Sequence, residues 1–169
     1  MVRPIEIEVS VDVDVPAEHA WRVVANYRYD AAWRVGVETM TQEQPVPTPR
    51  AADHTAADHG TVTNDTRTVE RYRILGTRRV NVARIFDVDP GRSFAWRTVS
   101  GTDAEGTRTV VPLGPERCRV VLRTVSRPRG LETILRPLVA PTLRRTLTAS
   151  TVRLSDLLLT REPAGQPDA

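Results

Sequence analysis

Glu70 and Tyr72 are the side chains in this sequence best suited to chemistry, set two residues apart in Thr61 to Ile74, a stretch that reads as a long strand. Side chains alternate across a strand, so a spacing of two puts the carboxylate and the phenol on one face. Val62, Asn64, Thr66, Thr68 and Ile74 share that face, because the other set contains Asp65, Arg67, Arg71 and Arg73 and belongs in water. A face this polar does not pack against a helix alone, since a buried polar group without a partner is strongly penalised. It needs partners or a wet cavity. Burial raises a carboxylate's pKa towards the range where it can exchange protons, and a Tyr hydroxyl can polarise a carbonyl. Glu70 is equally open to an ion pair with an arginine such as Arg123 or Arg145, which would make its role structural.

A second cluster competes for attention. Ala-Ala-Asp-His occurs twice, placing Asp53, His54, Asp58 and His59 close together, and these are metal-ligand types. They follow Pro45, Pro47 and Pro49, however, and a Pro- and Ala-rich surface loop lacks the rigid frame that ligands require. A solvated loop is expected there, and neither metal nor cofactor. His19 reads as a surface or boundary residue. No Ser-His-Asp set, Gly-rich phosphate loop or zinc spacing offers another chemistry.

The elements that must position these residues are readable from periodicity. Leu131, Leu135, Val139, Leu143 and Leu147 repeat every four residues, and Ile134, Leu138, Leu154, Leu157 and Leu158 widen the row. This predicts one amphipathic helix over 131–160, roughly 45 Å long at about 1.5 Å per residue. It would cross the whole domain, so it needs a wide surface to lie on. The preceding chain supplies one. Ile5 to Val15 alternates strictly between apolar and polar; Pro16 stops this strand and opens a short helix over 17–26. Tyr27 to Arg34 reads as a second short helix or turn, whose Tyr27, Tyr29 and Trp33 suit either a pocket mouth or helix-to-sheet packing. Strands follow at about 36–44, 61–74, 78–88, 93–100, 107–113 and 117–126, with a strong turn at Asp89-Pro90-Gly91-Arg92. Consecutive strands with short turns make an antiparallel sheet.

Composition narrows the class. The chain has 169 residues, 40% of them apolar, and is expected to form a single domain over 1–160 followed by a flexible tail over 161–169. All 24 basic residues are Arg, yet the net charge is only +3 and Arg is interleaved with Asp and Glu, so no nucleic-acid patch is expected. One cysteine, Cys118, excludes an internal disulfide. With no signal-like N-terminus and no apolar run long enough to span a bilayer, a cytoplasmic location without stable membrane insertion is the expectation.

These features together resemble the START/Bet v 1-like, or SRPBCC, superfamily, in the branch of polyketide cyclase/dehydrase and lipid transport proteins. The residues that carry the resemblance are Val15-Pro16-Ala17-Glu18 running on to Trp21, Trp33 to Gly36, Val88-Asp89-Pro90-Gly91-Arg92 before Phe94 and Trp96, and the final helix. The resemblance covers about Ile5 to Leu159 and implies an α+β helix-grip fold. In that fold a curved antiparallel sheet wraps around the long C-terminal helix, with two short helices after the first strand. It also implies an elongated hydrophobic cavity between sheet and helix. Pro137 and Pro141 bear on this independently, since a proline inside a helix removes a donor and bends it, whereas one in the first turn says nothing. From the helix, Leu143, Thr146, Leu147, Ser150 and Leu154 are expected to oppose Trp96, Thr98, Thr109, Leu122 and Thr124. With Trp33, Asn64 and Thr68 they would bind a hydrophobic small molecule, and Glu70 and Tyr72 are the catalytic candidates. Two functions follow: a polyketide cyclase/aromatase-like protein of bacterial secondary metabolism, or a non-catalytic carrier or sensor of a lipid, isoprenoid or aromatic metabolite.

Overall fold

The strict alternation at the N-terminus becomes β1 (Ile5–Val13), with Ile5, Ile7 and Val13 buried, Val9 and Val11 packed beside them, and the polar residues between turned outward. Pro16 directly precedes α1 (Ala17–Val24), which buries His19, Ala20, Trp21, Val23 and Val24. A single 3-10 turn (Tyr27–Tyr29) and the four-residue α2 (Asp30–Trp33) lead to β2 (Val37–Glu43). Then come β3 (Arg67–Ile74), β4 (Thr77–Asp89), β5 (Ser93–Ser100), β6 (Ala104–Gly114), β7 (Arg117–Ser126) and α3 (Arg136–Thr160). This is a computed structural model, and it describes residues 3–45, 60–74, 76–128 and 136–160.

All neighbouring strands pair antiparallel, in the order β1-β7-β6-β5-β4-β3-β2. The chain leaves β1 at one edge, passes through the short helices to β2 at the other, and returns strand by strand until β7 pairs with β1. The sheet curls into a half-barrel and α3 lies in it, the expected helix-grip arrangement. Leu147 packs on Ile5 and Ile7, joined by Val139, Ala140 and Leu143. The larger core gathers Trp21, Val24, Tyr27 and Trp33 from the short helices, Ile85, Phe94, Val110, Val120 and Leu122 from the sheet, and Leu154 and Leu158 from α3.

Three expectations need correction. Residues 61–66 are not strand: Val62 N–H donates to Ala25 O and Asp65 N–H to Ile85 O, so this segment is pinned across the sheet end before β3 begins. Gln42 holds it from β2 by accepting from Tyr27 N–H and donating to Gly60 O. β6 starts at Ala104 and not at 107, because Ala104 to Gly106 pair with Ser126 to Thr124. His19, expected at the surface or boundary, is buried under α3, its Nε2 3.1 Å from Leu158 O. Of the two prolines whose effect was left open, Pro137 is the second residue of α3, a first-turn position, and Pro141 lies within the helix. The expected helical residues 131–135, the expected tail over 161–169 and the Asp53, His54, Asp58 and His59 group lie outside the described residues.

The outer face of the sheet is laced with ion pairs, including Arg119 to Asp12 at 2.6 Å and Arg97 to Glu105 at 2.9 Å. The hydrogen bond from Arg119 holds the Asp12 carboxyl below its ordinary value, and that from Arg127 does the same for Glu105. A carboxylate whose pKa is depressed by folding stabilises the protein above its unfolded pKa and loses that contribution as pH falls through the folded one. Stability is therefore expected to be flat from neutral pH to about 5 and to decline below about 4. Denaturant midpoints measured across that range check this.

Candidate functional site

The inner face of the sheet carries an ionic cluster that starts at the short helices. Asp30 opens α2, and the preceding 3-10 turn is fixed by Asn26, whose side chain accepts from Arg28 N–H at 3.1 Å. Gly60 passes so close that a Cβ there would lie 2.5 Å from Asn26 Nδ2. Asp30 is fully buried and faces Arg108 of β6, which donates both to its carboxylate, at 2.9 Å for one bond, and to Val24 O at 3.0 Å. Arg108 thus also satisfies a carbonyl at the C-terminal end of α1, where a cation is favoured. Its guanidinium lies 4.2 Å from the Tyr27 ring centre, 5.1 Å from Trp33 and 5.7 Å from Phe94, within cation–π range.

Electrostatics favour the charged form of Arg108. Burial alone would lower the Arg108 pKa, but the Asp30 charge, aided by Tyr27 and the Asp30 hydrogen bond, drives it upward. Tyr27 goes up to about 12, chiefly through burial, with the Arg108 charge opposing. A group whose pKa is raised by folding stabilises below its unfolded pKa, here near 10, and that contribution fades as pH rises towards 12. In a spectrophotometric titration of the native protein, one of the three tyrosines is expected to ionise late, near pH 12. Tyr27→Phe should remove that late phase.

From the buried pair the cluster continues towards β3. Arg34, one turn after Asp30, lies 3.3 Å from Asp30 Oδ2 and 2.7 Å from Glu70 Oε1 on β3. Its side chain is 28% exposed against 13% for Glu70, so the cluster grades from dry to wet. Burial lowers the Arg34 pKa, but Glu70 and then Asp30 more than offset this and the net shift is upward. Asn81 donates to Glu70 Oε2 at 3.2 Å and accepts from Thr102 N–H at 2.9 Å. Thr102 Oγ1 in turn bonds the Tyr72 hydroxyl at 2.9 Å. Gly101 makes this possible: with φ of 100°, it sits where a Cβ would lie 2.3 Å from Asn81 Oδ1. Trp33 Nε1 and Glu70 Oε1 are buried without a hydrogen bond; the contact of Oε1 with Arg34 is an ion pair whose angle does not make one.

The expected site residues divide into three groups. Glu70, Tyr72, Trp96, Thr98, Leu143 and Thr146 are half-buried, the four sheet residues by register on the inner face with Thr68 and Ala83. Trp33, Thr68, Leu122, Leu147 and Ser150 are buried in the packing. Ser150 ties α3 to the loop after α2, accepting from Val35 N–H at 3.0 Å and donating to Thr146 O at 2.7 Å. Asn64 and Thr109 are placed elsewhere. Asn64 is exposed and accepts from Val88 N–H, because residues 61–66 are not strand and the inward alternation does not extend to it. Thr109 faces outward because Arg108 pairs with Leu122 and Phe94 on the inner side, and a one-residue change of register exchanges faces. Glu70 pairs with Arg34 and not with Arg123, which binds Glu6 outside, or Arg145, which is exposed.

Sequence reasoning missed Asp30, Arg34, Asn81 and Arg108. The four-residue spacing of Asp30 and Arg34 was a usable signal. Arg108 had a subtler one: Ala104, Gly106, Val110 and Pro112 alternate with it, opposite Glu105 and Thr107. Gly106 also matters, since a Cβ there would lie 2.1 Å from Arg123 O and 2.8 Å from the Trp96 ring. Gly106→Ala is therefore expected to displace Trp96 and shift the protein's fluorescence maximum, with a loss of stability of about 1 to 3 kcal/mol.

Among the described residues no three His, Cys, Asp or Glu side chains form a metal-binding group, and no helix is long and apolar enough to cross a membrane. The sequence matches the family model described as polyketide cyclase / dehydrase and lipid transport over residues 4–158. No curated protein sequence matches it. Among solved structures, the Zhui aromatase/cyclase from Streptomyces sp. R1128 aligns with a TM-score of 0.74 at 17% identity, covering 96% of this chain and 98% of that one. A START superfamily protein from Mycobacterium smegmatis gives 0.67 at 15% identity, with 91% and 97% covered. Norcoclaurine synthase from Thalictrum flavum, in complex with dopamine and hydroxybenzaldehyde, gives 0.61 at 17%, with 95% and 90% covered. Likeness at these identities establishes the fold.

Proposed function

The chain belongs to the polyketide cyclase/dehydrase and lipid transport family, and from that premise we propose that it binds a hydrophobic, carbonyl-rich small molecule between the sheet's inner face and α3. We take it to be a polyketide cyclase/aromatase-like protein acting on a poly-β-ketone chain. The observation that carries this reading is the Arg34–Glu70 pair: a cation still 28% exposed, 2.7 Å from a carboxylate oxygen that has no hydrogen bond of its own. Glu70 would take a proton from a methylene between two carbonyls while Arg34 stabilises the enolate oxygen. The enolate carbon then adds to a second carbonyl of the same chain, forming the ring C–C bond. Tyr72 gives its phenolic proton to the resulting alkoxide and regains the one taken by Glu70, and the new alcohol of the substrate then leaves as water with a neighbouring proton, giving the ring its double bond. No oxidant or reductant is consumed.

A second reading, a carrier or sensor of a lipid, isoprenoid or aromatic metabolite, is favoured by one observation. The Tyr72 hydroxyl already bonds Thr102, and Glu70 Oε2 already bonds Asn81, which suits groups that only orient a ligand. Incubation with a synthetic poly-β-keto thioester, followed by mass spectrometry, separates the two. The first reading expects a product lighter by one water, formed faster than without protein. Unchanged substrate, together with a lipid co-purifying in native mass spectra, would replace it with the second.

A further inference from the structure

The net charge of this chain is not spread over it. The sequence carries 24 Arg and 21 Asp and Glu, and α3 alone holds four of those Arg and one Asp, Asp156. The remaining twenty basic and twenty acidic residues cancel, so the whole formal charge of +3 lies on one helix. Elsewhere, most arginines of the sheet are paired where they stand, as in Arg67 to Glu43, Arg84 to Asp65, Arg119 to Asp12 and Arg123 to Glu6, with Arg71 an exposed exception. On α3, Arg144, Arg145 and Arg153 are exposed and have no acidic partner among the described residues. Arg145 and Arg153 stand about 12 Å apart along the axis. The exposed side of the helix also shows Val152, between Arg145 and Arg153, and Leu159, beyond Arg153 and past the exposed Asp156, at 57% and 58% exposure.

We propose that the outer face of α3 is a docking surface for an acidic protein partner, one that presents carboxylates flanking a small apolar ridge. An apolar centre with a charged rim is the anatomy of a protein interface, and guanidinium groups pair with carboxylates in a directional, two-pronged way. A second copy of this chain fits poorly. Its own α3 would bring like charge, and its sheet carboxylates Glu6, Asp12, Glu38, Glu43 and Glu105 are already paired. An anionic membrane fits less well than a protein, because two exposed aliphatic side chains bury too little to anchor the helix once three arginines have been attracted.

The test uses the full chain and a fluorescent amphipathic helical peptide with Glu along both flanks and Leu along its middle. A scrambled peptide of the same composition and phosphatidylglycerol-containing vesicles serve as alternatives. The patterned peptide is expected to bind about ten-fold more tightly than the scrambled one, with affinity falling as salt rises. Arg144→Gln/Arg145→Gln/Arg153→Gln should lose that advantage, whereas the charge-matched Arg28→Gln/Arg71→Gln/Arg92→Gln, changed at exposed sites away from α3, should keep it. Equal losses in the two triple variants would reduce the effect to net charge and overturn the proposal. Binding to the vesicles and not to the patterned peptide would overturn it in favour of a lipid surface.

Discussion

Asp30→Asn is expected to lower stability by about 3 to 5 kcal/mol, the largest loss for any single isosteric change in this protein. The substitution keeps the shape of the side chain and removes its charge, leaving the Arg108 guanidinium inside a shell of Tyr27, Trp33 and Phe94 with no counter-charge of its own. A buried pair is costly to break from one side because the surviving ion cannot regain water. For a chain of this length the loss corresponds to a fall in melting temperature of roughly 6 to 20 °C. Replacing both partners together, as Asp30→Leu with Arg108→Met, should recover much of it, since neither charge then needs a partner. Calorimetry on the two variants checks both. A wild-type melting temperature for Asp30→Asn would mean that the pair is not the buried anchor described here.

The largest effect on function is expected at Glu70. Glu70→Gln preserves a side chain able to accept from Asn81 but removes the negative charge opposite Arg34 and the capacity to take a proton. If the protein closes a polyketone ring, turnover should fall about 10²- to 10⁴-fold. Binding of the same substrate should change by less than about ten-fold, because apolar side chains such as Trp96 and Leu143 are unchanged. Tyr72→Phe should lose less, since Thr102 still shapes that corner. Parallel measurements of single-turnover rate and dissociation constant separate the outcomes. Loss of binding with unchanged turnover per bound ligand would make Glu70 a ligand-orienting residue and support the carrier reading.

How much of this was written in the sequence depends on where each residue finds its partner. β1 and α3 announce themselves because their periodicity reflects one buried face along a continuous element, and that is local information. The inward face of β3 was legible for Thr68, Glu70 and Tyr72 because the opposite set is charged. Asn64 was not, because alternation does not reveal where a strand stops pairing, and β3 pairs with β2 only from Arg67 onward. Arg108 was the least legible. An arginine in a strand normally points to water, and this one points inward because Asp30, 78 residues away, meets it there. Glu70 could be recognised as a buried carboxylate in need of a partner, but the choice of Arg34 required the fold. The candidate site is thus built from residues whose types were visible and whose pairings were not.

The central claim is that a ligand binds between the inner sheet face and α3 at the Arg34–Glu70 pair. A crystal structure of the protein soaked with a dihydroxynaphthoic acid, a mimic of a cyclised polyketide, tests it most directly. The expected result is ring density among Trp96, Leu143 and Thr146, with a ligand oxygen within hydrogen-bond distance of the Arg34 guanidinium or the Glu70 carboxylate. Ligand found only on the outer surface, with α3 packed flush against Glu70, Tyr72 and Trp96, would contradict it.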